Sequence, residues 1–453
     1  MLNEKVFKNR SVVVYLSYAP AGFGHLRVAD ALYHGLPEYV TPVLLGTHDY
    51  SITFLHRISS IHRVFRAIFL WSQNGTPERL FTFFYRRYLH RTAGTVKRQI
   101  IASIHQRIDP VETVVIVATH FGIAHQVSVV KKDIEKKLGI KMFLMVQVTD
   151  DSPQLLWYVH HADLIFCPSG QTAEALAAYG GRRAMDKMVV TPYPLSPYMG
   201  RKLKEAEFKD RLSQVQFSHT RDIHMAIPLS GAAVGTETLK NLMLYLHEEN
   251  KRFVFHVVVQ TAPYTALFLQ KVKNLSYIKL YTSIQDKVVI NSYEQMYMDE
   301  VVSLEVTKPS EQAFKALYYP YQRGGSILLF TPPVGRQEFD NLDFLRRHHL
   351  IPSAAETAAL WEMSQEENSE VSGIKGAFEH MYNKWRGIVL PEDSKKAANF
   401  ISWCLKEGVF HKMMRHEKPA QLLPHTPHEI SPDGVKDFWE KVSEYVAKNT
   451  STK

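Results

Sequence analysis

Apolar residues along this chain come in short dense bursts, each followed by a Pro/Gly-rich or polar turn and then by apolar positions at helical spacing. The first burst, residues 12–16 in "VVVYLSYAPAGFGHLRVADAL", is a continuous run rich in β-branched residues, as a strand covered on both faces of a parallel sheet requires. After the turn, Val28, Leu32 and Leu36 recur every fourth position and predict a helix. Further strands are predicted at 113–118 ("TVVIVA"), 141–148 ("KMFLMVQV"), 163–167 ("DLIFC") and 188–191 ("MVVT"). A helix is predicted over 171–179, stopped by Gly180 and Gly181.

Residues 194–222 interrupt this alternation with a Pro-rich start, a charged helical stretch and a polar end. It restarts at "HMAIPLSGAAVGTETLKNLMLYL", residues 224–246, and continues with strands predicted at 252–259, 277–281, 301–306 and 326–330. Two halves that each open on a strand and a Gly-rich turn imply an α/β fold with two Rossmann-like doubly wound domains facing across a cleft. The expected division is 1–195, a linker over 196–222, a second domain over 223–425, and a terminal segment 426–453 whose amphipathic helix packs back on the first domain. The polar stretch 362–376 is expected to be a surface loop.

Composition changes this picture little, and charge somewhat more. With 45% hydrophobic and 22% charged residues, the 453-residue chain is ordinary globular protein. Two cysteines, Cys167 and Cys404, form no paired motif, which argues for a reducing compartment and against a thiolate metal site. Residues 1–10 are polar and no window reaches the about 18 apolar residues of a membrane span, so a cytoplasmic protein is expected. The net charge of +9 is concentrated. Residues 63–99 interleave Arg and Lys with Phe, Trp and Tyr and hold a single acid, Glu78. Two readings stay open: a peripheral segment on an anionic membrane surface, or two core helices with snorkelling arginines. No nucleic-acid recognition motif accompanies the charge, so a nucleic-acid partner is not expected.

Ligands of open α/β sheets bind beyond the carboxyl ends of the strands, which directs attention to the loops there. In "APAGFGH", Gly22 and Gly24 permit a tight turn, and His25 opens the following helix with an imidazole whose ordinary pKa of about 6.5 suits a proton acceptor. The alternative is a histidine that merely caps its helix. In "VTDDSPQLLWYVHHADLIFCPS", Asp150 or Asp151 is placed to orient His25 or to accept from a substrate hydroxyl; otherwise one caps a turn and Trp157 is core. In "EVTKPSEQAFKAL", Lys308, Pro309 and Ser310 close a strand and begin a helix, offering free amides, a hydroxyl and an ammonium to a phosphate. The next strand ends in "PPVGRQEFDN", where Gly335 turns the chain and Gln337 and Glu338 suit sugar hydroxyls, with Asp340 and Asn341 beside them.

Taken in order, "GfGHlrvAdAL", "VTD…W…aDlifcPS" and "tKPs…P.vGrQE.dN..fL" resemble the GT-B glycosyltransferases over about residues 11–350. Within that class the sequence resembles the branch of the monogalactosyldiacylglycerol and diglucosyldiacylglycerol synthases and the lipid-linked N-acetylglucosaminyltransferase. The resemblance implies an inverting transfer of a sugar from a nucleoside diphosphate donor, a UDP-sugar, to a hydroxyl of a lipid or other hydrophobic acceptor. It makes His25 the general base, with Asp150 the catalytic aspartate after the middle strand. It makes Lys308, Pro309, Ser310, Gly335, Gln337, Glu338 and Asn341 donor-binding, together with the glycines Gly22, Gly24, Gly231 and Gly235. It implies no cofactor beyond the donor and no obligatory metal, and no Asp-x-Asp motif is present.

The sequence also departs from that pattern. Ser310 and Glu311 stand where the family has a glycine pair, Arg336 is inserted in the Gly-Gln-Glu motif, and Gln154 replaces a histidine before Trp157. The ribose-binding glutamate falls at Lys315 or Ala316. Two alternatives therefore remain, a catalytically inactive GT-B-like binding or regulatory protein and a sugar-nucleotide 2-epimerase.

Overall fold

The computed structural model describes residues 4–18, 23–46, 75–229, 231, 233–365, 382–415 and 428–450. Among these, strands form two six-stranded sheets with every pairing parallel. The chain divides into two compact units, residues 1–197 with 433–453, and residues 198–432. Each is a doubly wound, Rossmann-like α/β unit, the composition expected of the GT-B class.

In the first unit the strands are β1 (Val12–Tyr18), β2 (Val43–Gly46), β3 (Thr113–Ala118), β4 (Lys141–Gln147), β5 (Leu164–Cys167) and β6 (Met188–Val190), in the order β2-β1-β3-β4-β5-β6. The order reverses between β1 and β3, so the crevice beyond their carboxyl ends is where such a sheet takes a ligand. One sheet face packs Val114, Ile116, Met142 and Leu144 against helices Gly94–His105, Phe121–Leu138 and Gly170–Gly180. The opposite face receives the terminal helix Gly434–Thr450: Phe166 meets Phe438 at 4.3 Å between ring centroids, and Phe143 meets Tyr445 at 5.9 Å. Trp439 Nε1 of that helix donates to the Leu32 carbonyl at 2.9 Å. Gly35 is required there, because a Cβ on it would sit 2.0 Å from Val435 Cγ1.

In the second unit the strands are β7 (Ile223–Pro228), β8 (Phe253–Gln260), β9 (Ile278–Ser283), β10 (Leu304–Thr307), β11 (Ile327–Phe330) and β12 (Gly387–Val389), in the order β12-β11-β10-β7-β8-β9. This is the 3-2-1-4-5-6 order of dinucleotide-binding sheets, with its reversal between β7 and β10. Met225, Phe255, Val257 and Leu329 pack against helices Thr236–Glu249 and Ser394–Lys406, and helix Asp286–Asp299 covers β8 and β9.

Residues 196–222 are not a linker. From Tyr198 they belong to the second unit, and helix Glu205–Gln214 is fastened there by Arg211. That guanidinium is fully buried and donates to the carbonyls of Pro320, Gln322 and Arg323 at 2.6–2.7 Å. This charged helix thus spends one of its charges on satisfying a buried turn. Most of the polar stretch 362–376 lies outside the described residues. Among the described residues no helix is long and apolar enough to cross a membrane.

Candidate functional site

In the first unit the carboxyl ends of β1, β3 and β4 bring three loops together around His25. Gly22 lies outside the described residues; Gly24 and His25 stand half-buried in the first turn of helix Phe23–His34. Thr119, just past β3, holds that turn in place. Its amide donates to the Ser17 carbonyl at 3.1 Å, and its hydroxyl donates to the His25 carbonyl at 2.9 Å. His25 is therefore set by backbone tethering across the switch point.

The ring itself is fixed by Thr149, two residues beyond β4. Thr149 Oγ1 lies 3.1 Å from His25 Nδ1, and the Thr149 carbonyl accepts from the buried Tyr193 hydroxyl at 3.0 Å. His120 stands edge-on to His25 at 4.7 Å between centroids, and Trp157 is 6.1 Å away. His120 caps helix Phe121–Leu138 through Nδ1, which accepts from Gly122 N at 3.1 Å. The neighbouring threonine thus takes part in orienting the ring, and Asp150, expected in that role, stands half-buried next to it in sequence. Asp151 is buried and structural: it accepts from the hydroxyls of Ser169 and Thr172, the former capping helix Gly170–Gly180. Thr119, Thr149 and His120 were missed by sequence reasoning. Their signal was present, since each follows a strand as His25 does, but attention fell on the adjacent carboxylates.

In the second unit the residues expected to hold a donor converge on one corner. Lys308 and Pro309 follow β10, and helix Arg336–Arg347 follows β11 with Gly335 at its N-cap. Glu338 is ion-paired with Lys308, and its Oε2 accepts from Val334 N at 2.8 Å. Asn341, one turn on and fully buried, donates from Nδ2 to the Pro309 carbonyl at 3.2 Å. Gln337 is half-buried at the same helix start. Across the β7/β10 reversal, Gly231 accepts from the Tyr264 hydroxyl at 2.7 Å, and Gly235, at φ 82°, opens helix Thr236–Glu249. A side chain at that φ would be strained, so glycine is the residue this helix entry needs.

Two expectations are corrected here. Ser310 does not begin an α-helix: Glu311–Leu317 is a seven-residue 3₁₀ segment, and the Ser310 hydroxyl makes no capping bond. Such a short segment aligns few amides, so anion binding cannot rest on its tip. Lys308, expected as an ammonium beside that tip, is instead shared with Glu338. The position assigned to ribose binding is also interior. Lys315 is buried, ion-paired with Glu305, and donates to the hydroxyls of Tyr293 and Tyr297 at 2.7 and 2.8 Å. Ala316 is likewise buried.

No protein-family model matches the sequence, and no curated protein sequence matches it significantly. Solved structures do match in part. UDP-GlcNAc 2-epimerase from Neisseria meningitidis bound to UDP-GlcNAc aligns at 10% identity and a TM-score of 0.41, covering 96% of this chain and 100% of that one. MurG from Acinetobacter baumannii aligns at 11% identity and 0.42, covering 96% and 99%. A UDP-glucosyltransferase from Polygonum tinctorium, capable of glucosylating indoxyl, aligns at 13% and 0.44, covering 96% and 98%. At these identities and scores the fold assignment rests on the two strand orders, and the neighbours' activities stay their own.

Proposed function

We propose that the protein is an inverting glycosyltransferase using a nucleoside diphosphate sugar, a UDP-sugar, and a hydroxyl on a lipid or other hydrophobic acceptor. The observation that carries this reading is His25, held at the first unit's switch point with one ring nitrogen tied to Thr149. When Nδ1–H donates to the threonine oxygen, Nε2 keeps its lone pair for a substrate proton. In the proposed step the acceptor oxygen bonds to the anomeric carbon, its proton passes to His25 Nε2, and the bond from that carbon to the diphosphate oxygen breaks. The second unit binds the donor through the corner of Lys308, Gln337 and Glu338 with the glycine turn at Gly231 and Gly235. The helix amides following Gly335, rather than the segment at Ser310, face the departing charge in this scheme.

A second reading, a nucleotide-sugar-binding protein without turnover, is favoured by the Lys308–Glu338 ion pair, which occupies the ammonium a diphosphate would use. One experiment separates the two. The full-length protein is incubated with a panel of nucleoside diphosphate sugars and lipid acceptors, with both glycosylated product and released nucleotide measured. His25→Ala is expected to lower turnover by about 10²–10⁴-fold while titration calorimetry with the nucleoside diphosphate gives an unchanged Kd. Wild-type turnover in the variant overturns the base assignment. Nucleotide binding without product favours the binding protein, and an epimerised sugar in place of an acceptor product favours the epimerase.

A further inference from the structure

At the amino-terminal end of the second sheet, away from the loops bearing Lys308 and Gly335, two histidines and a glutamate meet. His224 is the second residue of β7, His256 projects from mid-β8 on the same face, and Glu300 follows helix Asp286–Asp299. His224 Nδ1 lies 2.8 Å from His256 Nε2 and 3.5 Å from Glu300 Oε2. One ligand atom from each residue lies within 4.8 Å of the other two. We propose that His224, His256 and Glu300 form a three-ligand binding site for a zinc-class divalent cation, with water in the fourth position.

The donor set selects the metal. Two imidazoles with one carboxylate suit zinc, nickel or cobalt, whereas magnesium and calcium demand a shell of oxygens. Four-coordinate zinc at about 2.0–2.2 Å from each ligand sets neighbouring ligand atoms roughly 3.3 Å apart. The two ring nitrogens must therefore separate by about half an ångström, and His224, at 20% side-chain exposure, has room to move. The surroundings match those of a ligating histidine: His256 presents its other nitrogen, Nδ1, to the Tyr281 hydroxyl at 3.2 Å, an outer partner that fixes ring orientation. With Nδ1–H donating to Tyr281, the shared ring proton resides on His224 Nδ1; it returns to solvent or to Nε2 as the cation arrives. Lys279, 2.5 Å from Glu300 Oε1, is the resident competitor, and its side chain is 46% exposed and able to swing into water.

Such an ion would pin β7, β8 and the segment entering β10, three stretches distant in sequence. The test uses the full-length protein, stripped with chelator, dialysed against zinc and counted for metal, with affinity read by competition against a chromophoric chelator. His224→Ala and Glu300→Gln, both at partly exposed positions, are each expected to lose one zinc per chain relative to the parent. Lys279→Met is expected to bind about tenfold more tightly, because it removes a competing charge. Cobalt should give the visible bands of a four-coordinate ion in the parent and not in His224→Ala. An unchanged metal count in both loss variants, or unchanged affinity in Lys279→Met, overturns the proposal.

Discussion

Opposite the Nδ1 of His25 stands the Thr149 hydroxyl, and the chemistry of a hydroxyl matters there. A carboxylate only accepts and so dictates the tautomer; the Thr149 hydroxyl can accept or donate, and so steadies the ring in either. Thr149→Val keeps the shape and removes the tether. It is expected to lower kcat by roughly tenfold with little change in nucleotide Kd, a split that steady-state kinetics and calorimetry resolve together. A second histidine of the same unit carries a pH dependence of stability. His125 is buried, its Nε2 lies 2.9 Å from the Leu156 carbonyl, and desolvation, with the Arg86 charge adding to it, pushes its pKa down to about 3. The unfolded ring gains a proton as pH falls below about 6.5, while the native ring stays neutral. Stability from this residue is therefore full above that pH and lost on acidification toward the native value, at up to about 1.4 kcal/mol per pH unit. His125→Gln, which retains an amide donor, should flatten that part of the denaturation-midpoint profile between pH 6.5 and 4, read as differences in urea midpoint at about one-unit steps.

The helix Gly75–Thr92 presents two chemistries on two sides. Arg86 turns inward, donating to the carbonyls of Leu155 and Tyr158 at 2.6 and 2.8 Å, and Glu78 accepts from Leu155 N at 2.8 Å. Outward, Leu80, Phe83, Phe84 and Tyr88 are exposed, Phe84 by 66%, and Arg79, Arg87 and Arg91 share the exposed side. The spacing 80, 83, 84, 87, 88, 91 forms one stripe, the arrangement that the membrane-surface reading of this segment requires, while inward Arg86 fits the core-helix reading. Co-sedimentation with anionic vesicles should fall in Phe83→Ser/Phe84→Ser and fall for the parent as salt rises from low to physiological strength; salt-independent or absent binding sinks the docking idea. Residues 63–74 of the aromatic segment lie outside the described residues. Other elements were legible to different degrees. β3 was expected over its observed span and β4 within one residue, because each is an apolar run too short for a helix and bounded by polar or Gly-containing turns. β2 and β12, four and three residues long, offer too few positions for any period to register. The corner of Lys308, Glu338 and Asn341 was legible as a set because each residue follows a strand; their mutual pairing was not, since pattern places side chains at a strand end without saying whether they bind each other or a ligand. Lys315 was misread for the same reason: nothing local in "EQAFKAL" reveals that Glu305, Tyr293 and Tyr297 wait in the interior to receive an ammonium.

At the scale of the molecule, the first unit is discontinuous and the second is continuous in sequence. Residues 198–432 carry their own sheet and core, so this fragment alone is expected to give a cooperative urea transition. Residues 1–197 alone lack helix Gly434–Thr450, leaving Phe143 and Phe166 uncovered. That fragment should bind a hydrophobic dye and aggregate, and a synthetic peptide of residues 430–453 should suppress both; a well-folded 1–197 fragment contradicts this account. The arrangement also orders events at the ribosome. The opening strands emerge first, yet they must wait exposed through more than two hundred further residues before their cover is made. Until helix Gly434–Thr450 arrives, the aromatic face of the first sheet has no cover of its own making.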